Sequence, residues 1–224
     1  MNNENKIEEE FIEKGFFQFV IEDRVSLDQL RQEVLSFSSD PIDNLSTIHQ
    51  KISTSDINNY RMDMIRKINA KEDLREKYYQ LGKTHLDIIV GNELAIQKNI
   101  NLSIQMPGDE TSTMALHRDC EAGNSPFEVV LWIPLTDSFA SNSIQMQARN
   151  EGQLKALTVP YGNGLVFSHS LLHGNLVNKE SKTRVSINLR FKSLWAPYGN
   201  KGLGESFLPL NMKAATRIGI EYES

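Results

Sequence analysis

A single cysteine, Cys120, excludes an internal disulfide framework and fits a reducing compartment. No apolar run approaches the ~20 residues that a membrane-spanning helix requires, so no membrane partner is expected. Positive charge is not in excess: 24 Lys and Arg against 29 Asp and Glu leave a net charge of −5. That balance speaks against a surface for nucleic acid or anionic lipid, which needs a basic stripe. The opening MNNENKIEEE has neither the basic start nor the apolar middle of an export signal, and a cytoplasmic location is expected. Internal repeats, low-complexity segments and Pro/Gly-rich linkers are also missing, which removes the usual marks of a second domain. The 224 residues are 39% hydrophobic, enough to bury one sizeable core, and residues 1–224 are expected to form one domain. Nothing in the chain sets an oligomeric state.

What is present changes character part-way along. FFQFVI, residues 16–21, predicts a short strand, and Ser26 with Gln29 predicts a capping box opening a helix that runs to about Ser36. Residues 43–54 are expected to be helical, and from Asp56 to Leu94 the mixing of charged and apolar residues predicts two or three helices. After Gln97, strand-like runs are separated by PGDETS, EAGNSP, TDSFASN, RNEGQ and PYGNG. Helices followed by antiparallel strands give an α+β expectation, with the helices packed on one face of a sheet or barrel.

Three of the strand candidates alternate in a telling way. NINLSIQM sets Asn99, Asn101, Ser103 and Gln105 against four apolar residues; SIQMQ sets Ser143, Gln145 and Gln147 against Ile144 and Met146; RVSINLRFK sets Arg184, Ser186, Asn188, Arg190 and Lys192 against Val185, Ile187, Leu189 and Phe191. Period two means one buried apolar face and one polar face. The polar face is either solvated or lines the lumen of a small barrel. Uncharged Asn, Ser and Gln on two of the three favour the lumen, where such groups bind a polar ligand without unpaired buried charge.

The chain has five histidines. His49 and His85 fall in helical segments and are expected to be surface or packing residues. His117 and Asp119, two apart in ALHRDCEAG, project to the same side of a strand and can reach one ion. His169 and His173, in GNGLVFSHSLLHGN, offer a third ligand. Two imidazoles and one carboxylate with open positions make the facial triad of non-haem iron(II) oxygenases. Activation of dioxygen there needs electrons, which a 2-oxo acid supplies by chelating the metal and losing carbon dioxide. Its far carboxylate calls for an Arg, the side chain suited to a bidentate clamp. Arg184 lies eleven residues after His173, with Ser186 on the same strand face.

With these residues assembled, the chain resembles the iron(II)/2-oxoglutarate-dependent oxygenases through His117-x-Asp119, His173 and Arg184-x-Ser186. FIEKGFFQFVIED, VVLWIPLTD and PYGNGLVF look like the phytanoyl-CoA dioxygenase-like branch. SPFEVVLWIPLTDSFASNSIQM and LLHGNLVN resemble, more narrowly, small bacterial oxygenases found sporadically in carbohydrate gene clusters. The resemblance covers nearly the whole chain. It implies a double-stranded β-helix (jelly-roll, cupin-like) core over 97–195, backed by mainly helical support over 1–96 and followed by an extension over 196–224. It implies His117, Asp119 and His173 as ligands of iron(II), and Arg184 with Ser186 for the distal carboxylate of 2-oxoglutarate. His169 competes with His173, and Glu121 with Asp119. Gln105, Gln145, Asn188 and Arg190 are lumen candidates for the co-substrate or substrate. Arg118 and Cys120 are expected to point away from the metal, and Trp132 to lie in the core. Residues 40–96, 120–126 and 196–206 are expected to cover the mouth.

The activity so implied is hydroxylation of a small polar substrate, a sugar or sugar-containing metabolite, with desaturation or epimerisation as variants. Retention of Asp119 argues against halogenation, which needs that ligand position vacated for chloride. The alternatives are an amino-acid or small-metabolite hydroxylase of the same mechanism, or a non-redox cupin-type sugar isomerase or binding protein. The non-redox class has no need of Arg184 and Ser186. A silent scaffold is disfavoured by the intact triad.

Overall fold

Apolar residues recur at helical spacing in the first third of the chain and at strand spacing afterwards, and the two patterns meet face to face. The computed structural model describes residues 3–197 and 201–223. In order, α1 (Asn3–Lys14), β1 (Phe16–Val20), α2 (Arg24–Ser36), a 3-10 turn (Leu45–Gln50), α3 (Ile57–Asn69), α4 (Asp73–Gln80) and α5 (Lys83–Ile89) lead into β2 (Leu94–Gln97) and β3 (Asn101–Gln105). Then come β4 (Met114–His117), β5 (Val129–Pro134), β6 (Ile144–Gln147), β7 (Leu154–Leu157), β8 (Asn163–Ser168), β9 (His173–Asn175), β10 (Arg184–Ser193), β11 (Phe207–Asn211) and α6 (Ala214–Glu223). Among the described residues, no helix is long and apolar enough to cross a membrane.

The strands form two sheets in which neighbouring strands pair antiparallel. The major sheet runs β1-β8-β5-β10-β2-β11, with β3 also on β10; the minor sheet runs β4-β9-β6-β7. The fold is the expected α+β double-stranded β-helix with N-terminal helices on one sheet. β1, β2 and β11 carry the major sheet beyond residues 97–195, since their backbones pair with strand edges that would otherwise expose unpaired N–H and C=O groups.

Alternation along the major sheet separates two cores. Leu131 and Ile133 of β5 and Val185, Ile187 and Leu189 of β10 pack with Leu27, Val34, Met64 and Leu74 of the helical layer. Val130 and Trp132 point the other way and pack with Ile144 and Met146 of the minor sheet and with Leu165 and Phe167. Tyr78, fully buried, seals the helical side, its hydroxyl 2.8 Å from the Leu131 carbonyl oxygen.

Two local expectations change. The cap of α2 is Asp23, not Ser26: Asp23 accepts from the Ser26 amide at 2.9 Å and from the Ser26 hydroxyl at 2.6 Å. A carboxylate at this end meets free amides and the positive pole of the helix, so the helix begins at Arg24 and Ser26 lies inside its first turn. Residues 43–54 supply only the short 3-10 turn, whose cap is Asn44.

Candidate metal centre

β4 and β9 are neighbours, and their register sets His117 opposite His173. Gly174 makes that approach possible, because a Cβ there would meet the Met114 carbonyl oxygen at 2.7 Å. After β4 the chain turns into a 3-10 segment, Asp119–Ala122, which carries Asp119 back toward both imidazoles. His117 Nε2 lies 3.7 Å from Asp119 Oδ1, and His173 Nε2 lies 3.9 Å from Asp119 Oδ2. One ligand atom from each of the three falls within 4.8 Å of the others.

These separations exceed hydrogen bonds, and both imidazoles are already oriented from behind. His117 Nδ1 donates to the Ala115 carbonyl oxygen at 2.8 Å, and His173 Nδ1 to that of Leu171 at 3.0 Å. A carbonyl oxygen only accepts, so each Nδ1 carries a proton, and Nε2 is the ring atom turned to the carboxylate. Burial pushes the His173 pKa down, which keeps its ring neutral. Two imidazoles that present Nε2 and one carboxylate, each with an orienting partner, are the donor set of a divalent transition-metal site. The residues fit a metal.

His169 is completely buried but stands outside this cluster. Its Nε2 lies 3.5 Å from Asp119 Oδ2 and its Nδ1 lies 3.3 Å from Glu128 Oε2. Glu128 in turn lies 3.4 Å from Lys192 Nζ. Desolvation lowers the His169 pKa to about 3, so it stays neutral between the two carboxylates. Glu121 is exposed and pairs with Arg118, whose NH1 donates to the Ser170 carbonyl oxygen. Both therefore point away from the cluster, and Cys120 is half-buried beside them. His49 contacts Thr183 Oγ1 at 2.9 Å, and His85 stacks on Phe19.

The inward face of β10 carries the rest of the site. Its register pairs Arg184 with Gln105, Ser186 with Ser103 and Asn188 with Asn101 across β3. The Arg184 guanidinium donates to Asn142 O at 3.1 Å, Ser103 Oγ at 3.1 Å, Ser186 Oγ at 2.6 Å and Gln105 Oε1 at 2.9 Å. Among the described residues, none of these partners is a carboxylate. Burial lowers the Arg184 pKa to about 10. A buried cation without a counter-ion is expensive unless a ligand supplies the anion. Gln105 acts on Arg184, its Nε2 being held by the Leu176 carbonyl oxygen. Trp132 is core, as expected, and its ring also lies 5.8 Å from the guanidinium carbon.

Arg190 was expected to face a ligand directly. It lines the cavity, but its NH2 donates to Asp119 Oδ1 at 3.1 Å and its NH1 to Asn124 Oδ1 at 3.1 Å. Gln145 corrects the lumen expectation. Ile144 and Met146 turn into the inter-sheet core, so Gln145 lies on the opposite face, where its Nε2 donates to Ser143 Oγ at 3.3 Å. Among the described residues no α-helix makes an extensive contact with the minor sheet, so its apolar side fills the lumen.

A cavity of about 470 Å³ is walled by His117, Asp119, His173, Asn101, Asn188 and Arg190, and α3 adds Asn58 and Arg61. A smaller space of about 80 Å³ adjoins it, reaching Arg184, with His173 and Asn188 in both walls. Of the segments expected over the mouth, 40–96 contributes through α3. Lys201 binds Asn124 and so ties 196–206 to the 119–124 turn; residues 198–200 lie outside the described residues. The Arg190–Asp119 pair and the His169–Glu128–Lys192 chain escaped the sequence reading. The inward position of Lys192 in the β10 alternation was the one available signal.

No protein-family model matches the chain. Over 90 residues it is 31% identical to Streptomycin biosynthesis protein StrG of Streptomyces griseus, a stretch covering 39% of this chain and 42% of that relative. The match thus spans less than half of the relative's length. Among solved structures, the chain resembles the nickel complex of the non-haem monooxygenase ThoJ: TM-score 0.54, 16% identity, covering 97% of this chain and 94% of the other. It also resembles the epimerase SnoN in complex with Fe3+, α-ketoglutarate and nogalamycin RO: TM-score 0.60, 10% identity, covering 94% and 96%. The fold is theirs. At these identities the likeness speaks for the double-stranded β-helix shared with such enzymes, and the chemistry must be argued from the residues of this chain.

Proposed function

We propose that the chain is an iron(II)- and 2-oxoglutarate-dependent dioxygenase that hydroxylates a small polar substrate, a sugar or sugar-containing metabolite of a biosynthetic pathway, in the cytoplasm. One observation carries the reading: the His117–Asp119–His173 cluster opens into a cavity that adjoins a buried Arg184 guanidinium with no carboxylate partner among the described residues. When bound, iron(II) with 2-oxoglutarate and dioxygen supplies the oxidising power for C–H hydroxylation.

The chain's own residues divide the remaining work. His117 and His173 hold Nε2 toward the metal position by donating Nδ1–H to backbone carbonyls. Asp119 is restrained through Oδ1 by Arg190. Arg184 binds the distal carboxylate of 2-oxoglutarate, with Ser186 Oγ accepting from Arg184 and turning its own proton to the ligand. Ser103 and Gln105 keep the guanidinium fork in place. Trp132, Val130 and Phe167 exclude water from the inner end. The sugar assignment rests on the SPFEVVLWIPLTDSFASNSIQM and LLHGNLVN motifs. The assignment to a biosynthetic small-molecule substrate draws support from the likeness to a streptomycin biosynthesis protein and to an epimerase crystallised with nogalamycin RO. The second of these favours epimerisation as an alternative outcome of the same site. Assignment to the phytanoyl-CoA dioxygenase-like branch rests on the FIEKGFFQFVIED and PYGNGLVF motifs.

The test is formation of succinate from 2-oxoglutarate with iron(II) and oxygen, together with the visible charge-transfer band of the anaerobic iron(II)–2-oxoglutarate chelate. His117→Ala and Asp119→Ala should each abolish the band, and His169→Ala should leave it largely intact. Loss of the band in His169→Ala with retention in His173→Ala would overturn the ligand assignment.

A further inference from the structure

The larger cavity is polar, yet every cation on its wall is already matched. Arg61 has five N–H donors, and all five are used. Nε and NH2 donate to the Ile104 carbonyl oxygen at 3.0 and 2.8 Å, NH1 to Asn58 Oδ1 at 2.8 Å and Thr111 Oγ1 at 2.9 Å, and NH2 also pairs with Asp109. Asp109 is itself buried and held by the Thr111 amide and hydroxyl. Arg190 is tied to Asp119, the one carboxylate on the cavity wall. An entering phosphate would find no unpaired cation there, and an entering ammonium no unpaired carboxylate. Either would lose its hydration without a charge-assisted partner.

What the wall does offer is amide. Asn101 and Asn188 are paired across β3 and β10, Asn101 Nδ2 donating to Asn188 Oδ1 at 2.9 Å. This leaves the Asn101 carbonyl oxygen as an acceptor and the Asn188 amide N–H groups as donors, side by side. Asn58 Oδ1 accepts from Arg61, which leaves the Asn58 N–H groups for the cavity. A hydroxyl both donates and accepts, so adjacent hydroxyls match this row of donors and acceptors without any formal charge.

We propose that the part of the substrate held in this cavity is an uncharged, hydroxyl-rich ring recognised by Asn101, Asn188 and Asn58, and that phosphate-bearing and amine-bearing sugars are discriminated against. The inference rests on the oxygenase reading and narrows it: the sugar is a neutral glycoside, not a nucleotide-linked one.

The experiment is saturation-transfer NMR on the full chain loaded with zinc and 2-oxoglutarate, which keeps the sample diamagnetic. The probes are methyl pyranosides of gluco, galacto and manno configuration, glucosamine, and glucose 6-phosphate, all at millimolar concentration. At least one methyl pyranoside should bind about tenfold or more tightly than either charged sugar. Asn101→Ala and Asn188→Ala should each weaken that probe severalfold. Asn58→Lys, at an exposed helical position, should bring glucose 6-phosphate binding up to or above that of the neutral probe. Equal or tighter binding of a charged sugar by the wild type, or no transfer to any methyl pyranoside, overturns the inference. The iron(II)–2-oxoglutarate band, recorded anaerobically on a second portion of the same purified protein loaded with iron(II) in place of zinc, separates the two levels. A band without pyranoside binding sinks the neutral-ring inference alone, whereas no band sinks the oxygenase reading and this inference with it.

Discussion

The two sheets carry the same alternating pattern and turn it in opposite directions. In β10 the apolar residues Val185, Ile187 and Leu189 face the helices, and Arg184, Ser186, Asn188 and Arg190 face the lumen. In β6 the apolar residues Ile144 and Met146 face the lumen, and Gln145 faces away. The difference lies in what stands behind each sheet. Helices cover the apolar face of the major sheet, which frees the inner side of β3 and β10 for polar work, while β5 and β8 stay apolar on both faces. Among the described residues the minor sheet has no such layer, so its apolar side turns inward and closes the lumen. Only its ligand strands, β4 and β9, bring polar groups inside, at His117 and His173.

The comparison breaks first at those ligands. Asp119→Ala or His173→Ala should eliminate iron(II) binding, read by loss of the chelate band and of succinate formation. Retained binding in either would mean that the polar groups of the minor sheet are not the metal site. On the major sheet, Arg184→Ala should weaken 2-oxoglutarate by about 2–5 kcal/mol, roughly 30-fold or more, with iron binding preserved. Arg184→Lys should be intermediate, and Ser186→Ala should cost about 1.5–3 kcal/mol at most. A titration followed by the same band decides this; equal affinities across the series would remove the co-substrate role.

Stability sharpens the contrast between the backed and unbacked faces. Ile187→Ala, at a completely buried helix-facing position, should cost about 2–5 kcal/mol in denaturant unfolding. Leu154→Ala, at a 38% exposed position on β7 of the minor sheet, should stay within about 0.5 kcal/mol. Similar losses at both would contradict the layer argument. Gln145→Ala should cost about 1 kcal/mol, the loss of one hydrogen bond, and leave metal and 2-oxoglutarate affinities unchanged. A large loss of either affinity would return Gln145 to the lumen.

The smallest effect concerns the helical layer and its pH dependence. His85 stacks on Phe19, and desolvation lowers its pKa below the ordinary 6.5. The unfolded chain therefore takes up that proton first as pH falls through about 6.5, and stability declines until the lower folded pKa is passed. His85→Phe should show a shallower loss of stability between neutral and mildly acidic pH, measured by denaturant midpoints. An unchanged slope would mean that the ring is already solvated in the fold.

Much of this was legible in the linear chain where the governing interactions are local. The strand at 16–20, the end of α2 at Ser36 and the three helices between 57 and 89 follow periodicity and run lengths. The cap of α2 lies three residues before the Ser26–Gln29 motif, because Asp23 accepts from the Ser26 amide and leaves Ser26 itself inside the first turn. The His117-x-Asp119 pair is also local, two residues on one side of a strand end. The clustering of His173 with that pair, and the position of His169 behind the carboxylate, depend on register between strands distant in sequence.

The sequence by itself determined the element types, the alternation of polar and apolar residues, and the donors available to a metal. The tertiary structure alone decided which side of each alternating strand is inside. Period two makes both faces equally available, and only the presence or absence of a helical layer behind the sheet breaks that symmetry. It likewise decided that Arg190 restrains Asp119 while Arg184 is left without a counter-ion. Which buried charges meet is set by the packing of whole strands, and no spacing along the chain encodes it.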